Sequence, residues 1–450
     1  MASIAPATSL EPGARALVLG LGRTGLSCAR YLQRKGVAVR VADTRAEPPA
    51  AAALREQVPD AELHTGAFQP GLLDGVAQIV ISPGLSLREP VVAEAASRGL
   101  PVVGDIELFA REAAAPVAAI TGTNGKSTVT ALLADLATAG GRPAIAGGNL
   151  GEPALDLLER PAPALYVLEL SSFQLETTYS LSTETATVLN VTADHLDRYG
   201  SIDEYAAAKA RIFDGCEVAV VNADDARVRA MPRAGQRVLS FSLHDSTADY
   251  FLAREPEPML TCRGEPLLPL GALRLQGEHN AANALAALAM GEVLGLPRAP
   301  VLAALAAFGG LPHRAQWVAD VGGVHFIDDS KGTNVGATIA AVAGMDGPLV
   351  LIAGGDGKGQ DFDDLRAAFR GKVRHAVLIG RDAPRLAAVL EDVCATESAS
   401  DMPGAVTAAR AAARSGDTVL LSPACASLDM FRDYRHRGEE FAAAVRSLAG

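Results

Sequence analysis

The segment Thr121-Gly122-Thr123-Asn124-Gly125-Lys126-Ser127-Thr128 carries the strongest chemical signal in the chain. Apolar VAAI precedes it and a helical stretch from about Ser127 to Ala139 follows, so its glycines stand in a strand-to-helix turn. Such a turn points successive backbone N–H groups, and the positive end of the helix, at a phosphate chain. Lys126 is expected to contact the β and γ phosphates of a nucleotide, and the Ser127 hydroxyl to ligate Mg²⁺. The strict phosphate-loop pattern has glycine five residues before Gly125, where this chain has Ile120, so the loop is a variant. A glycine turn with a merely solvated lysine would explain the glycines, but not GKST placed between a strand and a helix.

Three more side chains stand where ligands gather in α/β folds. Glu169 closes the strand YVLEL and is followed by Ser171, Ser172, Phe173 and Gln174. A carboxylate at that edge faces the ligand crevice and can hold Mg²⁺ by oxygen, although an ordinary strand-end acid would look the same. His195, in VTADHLDRY after the strand ATVLN, sits at another such edge, where a satisfied loop histidine is the commoner outcome. Lys209, within EYAAAKARIF, reads by composition as a solvated helix lysine.

A second glycine turn, Gly20-Leu21-Gly22-Arg23-Thr24-Gly25, fits GxGxxG, and Asp43 ends the next strand where a ribose-binding acid belongs. This pattern reports a backbone able to approach a diphosphate. A nicotinamide dinucleotide and a UDP-sugar both present one, so an oxidoreductase stays open at this point and NADH binding would discriminate it. A P-loop switch or motor is a further class, one whose phosphate release would depend on a macromolecule.

The elements that must position these residues come as three successive α/β units, in which short apolar runs alternate with helical stretches. With 450 residues, the chain exceeds what one core usually serves. The pattern restarts near Gly104 and again after GGLPHRAQWV, giving expected domains at 1–104, 105–310 and 311–450 with mostly parallel sheets. A net charge of −12 opposes non-specific nucleic-acid binding, so an anionic substrate must be held by local donors. The start MASIAPATSLEPGARALVLG lacks a basic-then-apolar export pattern, and no apolar run approaches the length of a membrane span. The five scattered cysteines, without CxxC spacing, fit reduced thiols in a cytoplasmic protein.

The ordered segments GTNGKSTVT, YVLELSSFQLETT, LNVTADHLDRY, GEHNAANALAA, LPHR, DDSKGTNVGA, GGDGKGQDF and LLSPACASLDMF resemble those of the Mur ligases from Gly20 to about Phe441. The resemblance implies an N-terminal Rossmann-like domain for a UDP-sugar, a central P-loop ATPase-like domain, and a C-terminal Rossmann-like domain that closes by hinging near Gly104 and Gly310. It implies ATP-driven addition of D-glutamate to UDP-N-acetylmuramoyl-L-alanine through an acyl phosphate. L-glutamate would use the same chemistry.

For ATP it points to Gly122 through Thr128, Asn280, Asn283, Arg314, Asp329 and Lys331. For two Mg²⁺ ions it points to Ser127, Glu169, His195 and Lys209, the lysine as a carbamate. For the UDP-sugar it points to Gly22, Arg23, Thr24, Asp43, Thr44, Arg45, Ser82, Pro83, Gly84, Asn149 and His195. For D-glutamate it points to Thr333, Lys358, Ser427, Leu428 and Phe431. Lys126, Glu169, His195, Lys209 and Arg314 would carry the chemistry, and a monomer is the default for this architecture. Folylpolyglutamate synthases share the phosphate loop but not the UDP-binding unit or SPACASLDMF. A DNPR-like motif typical of ligases adding diaminopimelate or lysine is absent from the sequence.

Overall fold

The computed structural model describes residues 10–195, 198–275, 277–345 and 347–449. Residues 1–9, on which part of the export reading rests, and Leu196 and Asp197 of the VTADHLDRY motif lie outside the described residues.

Three sheets follow one another along the chain. The first is wholly parallel, in the order Glu62–Thr65, Ala38–Asp43, Arg15–Leu19, Gln78–Ile81, Val102–Val103. Chain order reverses between Arg15–Leu19 and Gln78–Ile81, and at such a switch point the loops leaving the two strands part to form a crevice. The Gly20 and Ser82 turns are those loops. Gly25 belongs to the close packing behind them: a Cβ there would stand 1.9 Å from the Gly20 carbonyl oxygen.

The second sheet has nine strands, with Val117–Thr121 between Thr183–Val188 and Leu165–Glu169. Val117–Thr121 and Leu165–Glu169 are buried along their whole length, as continuous apolar runs in a parallel sheet require. The helix Glu278–Val293 lies almost entirely inside, and its alanines let it approach closely. At the far edge Met259–Cys262 and Glu265–Pro269 are antiparallel, a hairpin the sequence reading did not anticipate. Its two-residue turn, Arg263-Gly264, has φ of 47° and 84°, the left-handed pair that matches strand twist.

The third sheet has six strands, parallel except for the edge pair Gln316–Val321 and Val324–Asp328. Thus the fold is α/β in three units with mostly parallel sheets, as expected. The carboxyl ends of Arg15–Leu19, Val117–Thr121, Leu165–Glu169, Val324–Asp328 and Leu349–Gly354 supply the loops of the candidate site.

The units are joined in two ways. One apolar cluster runs without interruption from the first sheet (Val18, Cys28, Val103) through the helix Asp105–Ala110 into the second (Ala119, Tyr166, Leu168). The apolar clusters of the third unit draw only on residues beyond Gln316. That unit meets the second through polar side chains such as Asn334 and Arg314, and through backbone where Gly344 packs on Gly277. No helix among the described residues is long and apolar enough to cross a membrane.

Candidate active site

Gly125 caps the helix Lys126–Ala139 with φ of +83°, and a Cβ there would stand 2.4 Å from Asn283 Oδ1. Only glycine meets both demands. Lys126 Nζ donates to the Gly122 and Thr123 carbonyls at 3.0 and 2.7 Å. Lys209 Nζ donates to the same Gly122 carbonyl at 2.9 Å and lies 4.4 Å from the centre of the Tyr205 ring.

Lys209 is 1% exposed, which corrects its reading as a solvated lysine. It stands four residues after Tyr205 on the helix Ile202–Ala210, so both side chains leave the same buried face. Burial, and then the Lys126 ammonium, push its pKa well below the ordinary lysine value. Lys126 shifts the same way for the same first reason, with Glu169 and Asp194 pulling it back.

Glu169 is buried at its strand end, and Asn149 Nδ2 donates to its Oε1 at 2.6 Å. The other oxygen, Oε2, is buried with no hydrogen-bond partner. His195 has φ of 55° and meets the Phe173 ring edge-on at 4.9 Å. Its neighbour Asp194 accepts from Asn334 Nδ2 at 3.1 Å and stands 3.9 Å from Lys358 Nζ. Asn334 also donates to Asn124 Oδ1 at 3.2 Å, so the third unit touches the phosphate loop itself.

Arg314 Nη2 donates to Ser127 Oγ at 2.7 Å across the same seam. His313 and Ala315, on either side, both have positive φ, a strained backbone held so that the guanidinium reaches the loop. Burial raises Asp329 to about 7, opposed by the Ser422 hydroxyl that donates to it at 2.8 Å. Burial, reinforced by Arg314, lowers Lys331 to about 7 beneath the Tyr434 ring.

These residues line a run of three cavities. The first, about 400 Å³, is bounded by Gly22, Arg23, Thr24, Asp43, Thr44, Arg45, Ser82, Pro83 and Gly84. Two hydrogen bonds from the Arg45 side chain, at 2.6 and 2.8 Å, hold Asp43 down to about 2, helped by the Leu21 and Arg45 N–H groups. The second, about 360 Å³, is bounded by Lys126, Ser127, Asn149, Glu169, His195, Lys209, Arg314, Thr333 and Lys358. Pro83 and Gly84 belong to both walls. The third, about 150 Å³, holds Asn280, Asn283, Asp329 and Thr128, and shares Asn124, Gly125, Arg314 and Lys331 with the second.

Ser427, Leu428 and Phe431 are not in these walls. Ser427 accepts the Phe431 N–H through its carbonyl at 2.8 Å, Leu428 is 73% exposed, and Phe431 packs on the third unit's own core. Conversely, sequence reasoning passed over Asp194 and Asn334. Each had a signal: Asp194 adjoins His195 at the same strand edge, and Asn334 follows DDSKGT. Arg437 had none. It is fully buried and pins the 330 loop by donating to the Ser330 and Cys425 carbonyls at 2.8 and 3.1 Å.

Lys126, Lys209, Arg314, Lys331 and Lys358 face Glu169 and Asp194 across the second cavity. So many basic groups in a buried space, three of them held low in pKa by burial, would be charged most readily beside an anionic occupant, and a polyphosphate answers that demand. No group of three or more His, Cys, Asp or Glu side chains converges on a metal position among the described residues. Divalent ions would therefore rely on scattered donors such as the unpaired Glu169 oxygen, the Ser127 hydroxyl and His195, together with the phosphates themselves.

Three family models match the chain. They are Mur ligase MurD-like, N-terminal domain over residues 14–104; Mur ligase middle domain over 120–291; and Mur ligase, glutamate ligase domain over 313–425. A UDP-N-acetylmuramoylalanine--D-glutamate ligase of Nitrosococcus oceani is 52% identical over 445 residues, covering 98% of each chain. The protein of that name from Methylococcus capsulatus is 51% identical, over 98% of this chain and 96% of its own. Among solved structures, the UDP-N-acetylmuramate-alanine ligase MurC of Thermotoga maritima aligns with a TM-score of 0.62 at 19% identity, over 96% of this chain and 99% of its own. MurF of Acinetobacter baumannii aligns with a TM-score of 0.61 at 18% identity, over 97% and 91%. At these identities the structural likeness is one of fold.

Proposed function

The chain belongs to the Mur ligase family, and from that premise we propose that it joins D-glutamate to UDP-N-acetylmuramoyl-L-alanine, driven by ATP, in peptidoglycan precursor synthesis. The observation that carries this reading is the run of three cavities with shared walls. A UDP-sugar laid in the first cavity extends past Pro83 and Gly84 into the second. ATP with its base beside Asn280 and Asn283 brings its phosphates past Gly125 into the same space.

A carboxylate resists attack by an amine because it is already anionic and its oxygen leaves poorly. Transfer of the γ phosphoryl to the L-alanyl carboxylate removes both obstacles. Lys126 and Arg314 border the position of the transferring group and offset its charge, while Asn149 orients Glu169 beside it. The amine of glutamate then attacks the acyl phosphate, and the tetrahedral intermediate collapses to amide and phosphate. Lys358, reaching in from the third unit with Thr333, is the cation placed for a glutamate carboxylate. Ser427, Leu428 and Phe431 would join only through movement of their loop. Acyl phosphates hydrolyse, so contacts such as Asn334 with Asn124, which bring the third unit over the loop, serve to exclude water.

Two Mg²⁺ ions suit the donors present: Ser127 and Glu169 would hold one, and His195 with Lys209 the other. When bound, they would neutralise charge on the phosphates. Lys209 as an ammonium would repel such an ion. Addition of its neutral amine to CO₂, with loss of a proton, gives a carbamate whose oxygen can bind one instead. We further propose that the enzyme acts as a cytoplasmic monomer.

The test is phosphate release with ATP, Mg²⁺ and UDP-N-acetylmuramoyl-L-alanine, with D-glutamate, L-glutamate or neither, and the product weighed by mass spectrometry. A glutamyl adduct with D-glutamate alone supports the assignment. An adduct with L-glutamate alone changes the substrate and keeps the chemistry. Phosphate released with no adduct sinks the ligase reading.

A further inference from the structure

We infer that Arg198 is a positioning residue that ties the UDP-sugar turn to the wall of the reaction cavity; the inference rests on the substrate assignment above. Arg198 belongs to the second unit, yet its guanidinium donates to two carbonyls of the first unit's 82–85 turn. Nη1 reaches the Pro83 oxygen at 2.8 Å, and Nη2 the Leu85 oxygen. The guanidinium carbon of the same side chain stands over the Phe173 ring, 4.0 Å from its centre, with Glu176 3.8 Å away. Phe173 in turn meets the His195 ring edge-on and stacks on Tyr199 at 5.7 Å.

This places one side chain between two surfaces that a single substrate must touch at once. Pro83 and Gly84 wall both the first and second cavities, and Phe173 and His195 wall the second. A ligand that fills only the first cavity needs the turn alone. A ligand that spans the two needs the turn and the Phe173 wall in fixed register, because its reacting carboxyl is delivered only if both ends fit. Arg198 sets that register. It does not touch the reacting atoms. A lysine cannot replace it, since one ammonium cannot donate to two carbonyls at fixed spacing while also covering a ring.

The test compares two ligands in Arg198→Met and Arg198→Lys by calorimetry: UDP, which fills the first cavity, and UDP-N-acetylmuramoyl-L-alanine, which spans both. In both variants UDP affinity is expected to stay within about two-fold, while the advantage of the full substrate over UDP falls about ten-fold, the scale of a lost hydrogen bond to a charged donor. In turnover, kcat should fall about ten-fold or more through misplacement of the carboxyl, with KM for ATP unchanged. Equal weakening of UDP and substrate would reduce Arg198 to a support for the turn and overturn the inference. So would Arg198→Lys behaving as the parent protein. If the parent protein itself binds UDP but not the muramoyl substrate, it is the substrate assignment that fails.

Discussion

The two seams of this molecule are built from different materials. Between the first and second units an apolar cluster continues through the helix Asp105–Ala110, so the two sheets share one core. Between the second and third units the contacts are polar: Asn334 with Asn124 and Asp194, Arg314 with Ser127, Lys358 facing Asp194. Shared apolar area is lost all at once if a seam opens, whereas polar contacts exchange for water at small net loss. The first seam therefore makes a fixed platform that keeps the first cavity and the 122–128 loop on one rigid body. The second is suited to part and rejoin with each turnover, which a reaction needing both water exclusion and product release requires.

The largest effect expected is on the apolar seam. Phe109 is fully buried and meets Tyr166 edge-on at 5.1 Å. Phe109→Ala should lower stability by about 3–5 kcal/mol, read by urea denaturation, with kcat of the remaining folded protein little changed. Unfolding of the third unit alone, with the first two intact, would break the comparison. Next comes Lys126→Ala, which should reduce kcat by roughly 10²–10³-fold with no loss of UDP affinity, because the platform is untouched. Smaller again is Asn334→Ala, which removes the bonds to Asn124 and Asp194 across the polar seam and also the N-cap of the helix Val335–Ala343, where Asn334 Oδ1 accepts from the Ala337 N–H at 2.8 Å. It should lower kcat about ten-fold and cost about 1 kcal/mol of stability through the lost cap. A loss of stability well beyond that of the cap would mean that the polar seam is structural after all.

How much of this was legible in the sequence follows from what each feature depends on. The phosphate loop and the strand-end Glu169 announce themselves because strand, glycine and helix are local patterns. The first cavity was legible too, since a GxGxxG turn and a strand-end acid converge by sheet topology alone. Lys209 was not, because its burial comes from the helix face it shares with Tyr205 and from the fold closing over that face. Asn334 and Asp194 lie 140 residues apart and become a pair only when two units meet. The hairpin at Arg263-Gly264 was missed because its turn needs a left-handed arginine, a conformation residue type does not advertise. Ser427, Leu428 and Phe431 came from resemblance and stand outside the cavity walls in this arrangement.

The finest test of the apolar seam is a titration. Asp105 is 1% exposed; its Oδ2 accepts from Gln174 Nε2 at 2.9 Å, and its Oδ1 has no hydrogen-bond partner. Burial raises its pKa from the ordinary 3.8 to about 6, so the fold prefers the neutral acid. A raised pKa contributes stability that is complete below the unfolded value and is lost as pH rises through the folded one. Above about pH 6 the seam therefore holds a buried carboxylate at a loss, and the neutral Asp105→Asn side chain escapes it. Burying the new amide N–H without a partner takes back part of the gain, leaving about 1 kcal/mol. Urea denaturation at a series of pH values should show the variant more stable than the parent at pH 8 and less stable near pH 4, where the parent carboxyl is already neutral and only the cost of the buried amide remains. A difference that is flat across that range would mean that water reaches Asp105, and that the seam is not the dry platform its apolar cluster describes.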